Sequence, residues 1–297
     1  MKRRLTTSLL AALIAVPATL AVSAPSARAA STLPSMSVAP YALLPTKTAL
    51  WVSVPSGTVV TVRHSGGSLI GSSTSVTGHA LLVLWQPTGS RSSYVVTAPG
   101  YAPSTVEAST SATSLAGALW RMTNKRNALP STYAPSGLQT VGSRQLTASA
   151  ATAVRQLIAG AAAAGLTTGV NSGYRSYASQ RALYDQDVKQ YGQKVADNLV
   201  ARPGFSEHQL GLAADLTNAP CTNASCTTTT ATGRWIAANA WRYGFILSNA
   251  VGKTAITGWQ SEPWHVRYLG TPLTAYVHAR QIVTEEDLFG LPAAPTY

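Results

Sequence analysis

Apolar residues in the early part of the chain fall into short runs of strand length. They are Leu50-Trp51-Val52-Ser53-Val54, Thr58-Val59-Val60-Thr61-Val62, Ala80-Leu81-Leu82-Val83-Leu84-Trp85 and Tyr94-Val95-Val96-Thr97. All are rich in β-branched, aromatic or aliphatic side chains. Pro55-Ser56-Gly57, Ser65-Gly66-Gly67 and Pro87-Thr88-Gly89 punctuate them as turns. Runs recurring about every ten residues predict a small all-β, sandwich-like domain, placed over residues 49–103. Residues 30–48 carry Pro and Ser without a clear period and read as an N-terminal segment. Residues 104–118, rich in Ser, Thr and Ala, read as a linker.

From Leu119 the period changes. Leu146 to Gly165 is Ala-rich, with Val154, Leu157 and Ile158 at helical spacing, Thr147 as N-cap and Gly165 as the stop. Thr168 to Ser172 is extended. Ser176 caps a helix running to Tyr191, with Leu183, Tyr184 and Val188 on its buried face, and a short helix follows from Lys194 to Val200. Leu212 to Leu216 and Trp264 to Tyr268 read as strands and Arg234 to Tyr243 as a helix. Helices gather first and strands follow without βαβ regularity. The expected fold class is therefore α+β, with a mostly antiparallel sheet flanked by helices over residues 119–297.

The first residues do not belong to either pattern. Lys2-Arg3-Arg4, an apolar run from Leu9 to Val22 and a small-residue stretch ending Ala27-Arg28-Ala29 have the order of a secretory signal peptide over 1–29. An uncleaved anchor is the alternative, but the run is short and Pro17 breaks it. No later stretch approaches the ~20 apolar residues of a membrane span. The net charge of +12 falls to about +8 once Lys2, Arg3, Arg4 and Arg28 are removed. That charge favours a polyanionic envelope polymer as partner, such as teichoic acid. Export and the lack of a dense Lys/Arg cluster argue against nucleic acid. Cys221 and Cys226 are the only cysteines, and in an exported chain they are expected to form a disulfide. Closing so short a loop would shape it locally rather than stabilise the whole protein. A metal pair is the alternative, with no further cysteine to complete it.

The candidate chemistry sits in two short stretches. One is Ser206-Glu207-His208-Gln209-Leu210-Gly211-Leu212-Ala213-Ala214-Asp215; the other is Glu262-Pro263-Trp264-His265. Two of the five histidines and three of the ten acids lie there. Two imidazoles and a carboxylate can hold one zinc ion and leave a position open for water, while a further carboxylate takes that water's proton. On a helix, His208 and Asp215 would stand about 10.5 Å apart along the axis, so the chain must fold back, with Gly211 as pivot. Taken alone, Asp215 reads equally well as an acid hydrogen-bonded to backbone in a turn. Pro263 and the Trp-His-Val-Arg-Tyr run favour an extended chain that puts His265 and Arg267 on one face, with Glu262 at the strand entry as general base. Arg175, in Ser172-Gly173-Tyr174-Arg175-Ser176, can bind a carboxylate or steady an oxyanion. Glu207 reads as structural, His278 as exposed, and His64 and His79 as solvated turn residues.

These residues resemble the VanY-type D-alanyl-D-alanine carboxypeptidases, zinc peptidases of the bacterial cell wall. The resemblance runs from Asn124 to Gly270. It rests on Asn124-Lys125, Leu129-Pro130, Ser172 to Ser176 with Gln180, Pro203 to Gly211, Ala213-Ala214-Asp215, Tyr243-Gly244-Phe245, Glu262 to His265, and Arg267-Tyr268. It implies one zinc held by His208, Asp215 and His265, Glu262 as base, and Arg175 polarising the scissile carbonyl or holding substrate. It also implies Gln180 and Ser206 as substrate contacts. The implied protein is a secreted, wall-associated peptidase that releases terminal D-alanine from peptidoglycan stem peptides. An L,D-carboxypeptidase or an endopeptidase on the same stem stays open. A non-catalytic wall-binding protein with a structural zinc is a further alternative, against which the intact Glu262 stands. The Cys221–Cys226 loop and its Thr227–Thr230 tract depart from the family pattern and bear on substrate choice.

Overall fold

Residues 33–217 and 229–297 are described by a computed structural model. The expected signal segment and the Cys221–Cys226 pair lie outside the described residues. Strands β1 (Ser37–Leu44), β2 (Lys47–Ser53), β3 (Val59–His64), β4 (Leu69–Thr74), β5 (His79–Trp85), β6 (Arg91–Thr97) and β7 (Ser104–Ser109) come first. They form two antiparallel sheets, ordered β1-β2-β5 and β4-β3-β6-β7. Leu50, Val52, Leu82 and Leu84 of the first sheet share a core with Val60, Val62, Tyr94 and Val96 of the second.

The expected boundaries change at both ends. The N-terminal segment contains β1, whose Pro40 interrupts the alternation that marks a strand. The linker contains β7 and the short helix α1 (Ala112–Ala116). β7 hid in a Ser/Thr-rich stretch because it is an edge strand paired only with β6, burying little beyond Ala108.

The three-stranded sheet is covered on its other face as well. Leu43, Leu44, Ala49, Trp51 and Leu81 pack against Trp120, Met122, Leu269, Leu273, Tyr276, Val277 and Phe289. Met122 N–H donates to the Leu43 carbonyl, and Trp120 Nε1 to that of Leu269, both at 2.9 Å. Each large apolar side chain buried this way contributes roughly 1.5–3 kcal/mol. The residues from Leu33 to Tyr297 accordingly form one compact unit. Two-sided burial also explains why Ala80 to Leu84 is continuously apolar instead of alternating.

After α1 come the hairpin β8 (Leu138–Val141) and β9 (Arg144–Thr147), α2 (Ala148–Ala163), β10 (Val170–Ser172), α3 (Tyr177–Tyr191) and α4 (Gln193–Leu199). Then follow β11 (Ala213–Leu216), α5 (Ala231–Asn239), β12 (Phe245–Ile246), α6 (Thr254–Thr257), β13 (His265–Tyr268), α7 (Thr271–Ala279) and α8 (Glu285–Leu288). The antiparallel sheet β10-β11-β13-β12 has two chemically distinct faces. Ala214, Leu216 and Val266 face α2, meeting its Val154 and Leu157 in a second core. The alternate residues, Ala213 and Asp215 on β11 with His265 and Arg267 on β13, take the opposite face.

Thr147 holds the N-cap position of α2, but its side chain makes no capping bond and its Oγ1 is buried without a partner. Ser176 does cap α3, accepting from Ser179 N–H. The expected buried face of α3 is shallow: Leu183, Tyr184 and Val188 are half-buried, and Gln180 is the residue it buries fully. Among the described residues no helix is long and apolar enough to cross a membrane.

Candidate active site

Asp215 and His265 are brought together by strand register. They face each other as direct partners across β11 and β13, and His265 Nδ1 lies 3.1 Å from Asp215 Oδ1. His208 reaches the same place by a turn. Ser206 Oγ accepts from His208 N–H at the start of a 3-10 turn over Glu207–Leu210, and Gly211 ends it at φ 68°. A side chain on Gly211 would be strained there and would press on Pro135 at 3.0 Å. The fold-back sets His208 Nε2 3.2 Å from Asp215 Oδ2, with the two imidazole rings edge-on at 5.0 Å between centroids. One ligand atom from each of His208, Asp215 and His265 lies within 4.8 Å of the others.

The outer nitrogen of each ring is also committed. His208 Nδ1 lies 2.8 Å from the Gly173 carbonyl, which can only accept, so Nδ1 carries the proton and Nε2 presents its lone pair. His265 Nε2 lies 2.8 Å from Glu207 Oε2. That leaves Nδ1 as the nitrogen for a metal. A carbonyl and a carboxylate behind the two imidazoles are the partners that orient histidine ligands. The donor set of two imidazoles and one carboxylate therefore fits a zinc ion, with a position left open.

Charge in the site is arranged around this face. Burial disfavours the Asp215 anion, but His208 and His265 beside it hold its carboxyl well below the usual range. Burial likewise opposes the charged His265 ring, yet its hydrogen bonds to Asp215 and Glu207 raise its pKa well above that of a free imidazole. Burial pushes the Glu262 carboxyl up to about 7, helped by the charges of Asp215 and Glu207 and resisted by His265 and the Asn249 bond. Glu262 precedes β13, its N–H donates to the Asn249 carbonyl, and Asn249 Nδ2 donates to its Oε2 at 2.6 Å.

Arg175 completes the group. Its guanidinium donates to Gln180 Oε1 and to Ser172 Oγ, both at 2.8 Å, and stands 4.0 Å from Asp215 Oδ2. Gln180, read from sequence as a substrate contact, is fully buried and also donates to the Ala201 carbonyl at 2.7 Å. Its amide is hydrogen-bonded on both sides, by Arg175 at Oε1 and to Ala201 from Nε2. Ser206, the other expected contact, is buried and caps the turn that carries His208. Arg175, Gln180, Ser206, His208, Asp215, Glu262 and His265 all line one cleft of about 220 Å³. Sequence reasoning missed the partners behind them: Ser248, Asn249 and the role of Glu207. An acid directly beside a candidate ligand was the one signal available for Glu207. The polar Ser248-Asn249 pair carries no motif of its own. His278 is exposed as expected, stacked on Trp241 at 4.1 Å; His64 is exposed, while His79 is half-buried and stacks on Trp51 at 4.6 Å.

Three comparisons bear on this site. The VanY family model, described as D-alanyl-D-alanine carboxypeptidase, matches residues 143–271. The YodJ protein of Bacillus subtilis (strain 168) is 34% identical over 177 residues, which cover 56% of this chain. The chain spans 65% of that relative's length. Among solved structures, the LdcB LD-carboxypeptidase is 32% identical with a TM-score of 0.55, covering 59% of this chain and 87% of that one. A vancomycin-resistance D,D-pentapeptidase VanY in complex with Zn(II) is 31% identical with a TM-score of 0.50, covering 56% and 97%.

Proposed function

The chain belongs to the VanY D-alanyl-D-alanine carboxypeptidase family, and from that premise we propose that it is a secreted, zinc-dependent carboxypeptidase. Its substrate on this reading is the peptide stem of peptidoglycan, from which it removes the terminal D-alanine. One observation carries the proposal: the convergence of His208 Nε2, the Asp215 carboxylate and His265 Nδ1 in the cleft that Glu262 and Arg175 also line. The Zn(II) complex of the VanY relative supports the identity of the metal.

Zinc held by His208, Asp215 and His265 would supply Lewis acidity, acidifying a water and polarising a carbonyl. The chain's own residues do the rest. Glu262, with its carboxyl near neutrality, takes a proton and returns it to the departing amine. Asn249 occupies Oε2, so Oε1 is the oxygen left for that exchange. Arg175, steered by Gln180 and Ser172, places a fixed positive charge for a substrate carboxylate or a developing oxyanion. Export and attachment to an anionic wall through the basic surface are parts of the same proposal.

A second reading, cleavage of an L,D bond in the same stem, is favoured by the higher TM-score of the LdcB LD-carboxypeptidase. Mass spectrometry of purified pentapeptide and tetrapeptide stems separates the two. Loss of one alanine from the pentapeptide alone supports the first, loss from the tetrapeptide the second, and loss from neither refutes both. In the same assay Glu262→Gln should keep its zinc and lose at least about 100-fold in turnover; full activity would remove Glu262 from the role of base.

A further inference from the structure

The cleft that holds the candidate site also follows one face of α3. Gln180, Leu183 and Asp187 all line it, and spacings of three and four residues put them on the same side of the helix. Gln180 marks the inner end, where Arg175 Nη1 donates to its Oε1. Asp187 stands about 10.5 Å farther along the axis. Leu183 lies between them, and Leu199 and Val200, at the end of α4, add further aliphatic lining. Six acids line the cleft, and five have partners. Asp215 lies against both imidazoles, and Glu207 Oε2 against His265 and Ser248. Glu262 accepts from Asn249, Glu286 accepts from Asn124 at 2.8 Å, and Glu285 faces Arg267 at 3.5 Å. Asp187, half-buried, makes no hydrogen bond or ion pair among the described residues. Its neighbour Asp185 is exposed and sits 3.7 Å from Arg181 instead.

We propose that Asp187, with Leu183, Leu199 and Val200, forms a subsite that selects a substrate residue carrying a free amine on an aliphatic side chain. Such a side chain asks for two things at once: apolar surface for its methylenes and an anionic acceptor for its ammonium group. This stretch of the cleft offers both, and Asp187 is the acid in it with no internal partner to give up. Arg175 is the one Lys or Arg of the lining and belongs to the inner end, so no lining cation competes for Asp187. A carboxypeptidase releases a single terminal residue, so whatever it holds farther out belongs to the retained part of the peptide. An extended peptide advances about 3.3 Å per residue. A residue one or two places before the cut bond, with a long side chain, can therefore bring its amine to Asp187.

This inference rests on the carboxypeptidase reading proposed above, and its test separates the two. Two synthetic pentapeptides end in D-Ala-D-Ala and differ only at the residue before that pair, which is lysine in one and Nε-acetyllysine in the other. Alanine release gives kcat and KM for each on full-length wild type, Asp187→Asn and Asp185→Asn. On wild type the acetylated peptide should show a KM roughly 10-fold higher, with kcat within about threefold. Asp187→Asn should raise the KM of the lysine peptide to that of the acetylated one and erase the discrimination, with an unchanged urea midpoint. Asp185→Asn removes the same charge from the same helix outside the cleft and should behave as wild type. Equal KM values for both peptides on wild type, discrimination that survives in Asp187→Asn, or the same loss in Asp185→Asn would overturn the proposal. If wild type releases alanine from neither peptide, cleavage of the terminal D-Ala-D-Ala bond is refuted. Calorimetric titration of the two peptides onto wild type and Asp187→Asn then decides the subsite on its own: a preference for the free amine that disappears in the variant supports it, and no preference or no binding overturns it.

Discussion

Gly173 carries no functional group, yet Gly173→Ala should damage the candidate site more than most substitutions at polar positions. An ideal Cβ there lands 2.5 Å from the Gln145 carbonyl oxygen and 3.3 Å from Arg144 Cβ. Backbone segments must part by about half an ångström or more to relieve that contact. Neither side is free to move. Tyr174 N–H donates to the same Gln145 oxygen at 2.6 Å, Gly173 O holds His208 Nδ1 at 2.8 Å, and Arg175 N–H donates to the His208 carbonyl at 3.1 Å. Over-packing of this kind costs about 1–3 kcal/mol, and each strained hydrogen bond adds roughly 0.5–1.5 kcal/mol. A loss of about 2–4 kcal/mol is expected in urea denaturation of the metal-free protein. Because the Gly173 carbonyl also sets the His208 tautomer, zinc affinity should fall by roughly 10- to 100-fold in chelator competition. A variant with the wild-type urea midpoint and wild-type zinc affinity would refute the claim that the strand entering Arg175 is pinned from both sides.

Two further outcomes test the frame of the molecule. Asp197 accepts from Arg202 Nε and Nη2 at 2.9 and 2.8 Å, and that pairing, against some cost of burial, holds its carboxyl below the ordinary range. A depressed carboxylate stabilises the fold above its unfolded pKa, and the contribution disappears as pH falls through the folded value. Asp197→Asn should therefore cost about 1–2 kcal/mol near pH 6, and the cost should shrink progressively as the pH is lowered below the unfolded carboxylate value; a cost independent of pH would refute the ion-pair assignment. Phe289 is fully buried between the three-stranded sheet and α7. Phe289→Ala should cost about 3–5 kcal/mol and keep a single unfolding transition, with fluorescence and far-UV circular dichroism coinciding. Two separate transitions would show that the N-terminal sheets fold on their own.

The local rules of the chain made much legible. Thr147 to Gly165 read as a helix because its apolar spacing and stop signal are contained within it, and α2 lies there. His208, Asp215, Glu262 and His265 stood out because rare residue types cluster in short motifs, and the structure brings all four to one cleft. The need for a fold-back at Gly211 followed from helix rise alone, and its positive φ supplies it.

What tertiary structure decided was every relation between distant segments. The pairing of Asp215 with His265 depends on the register of two strands fifty positions apart, which no local pattern encodes. The same holds for the covering of the three-stranded sheet. Its apolar runs predicted a sandwich core, not the covering of the other face by α7 and α8. Glu285 carries no motif of its own, and only docking of α8 brings its Oε1 to 3.5 Å from Arg267 Nε. The hydrogen bonds that join the Gln180 amide to Arg175 and Ala201 likewise depend on packing that no local pattern encodes. Sequence determines which groups are available and which turns are permitted, because those are properties of single residues and near neighbours. Which groups share a site or a core is decided by packing, where burial sets the energy of each contact.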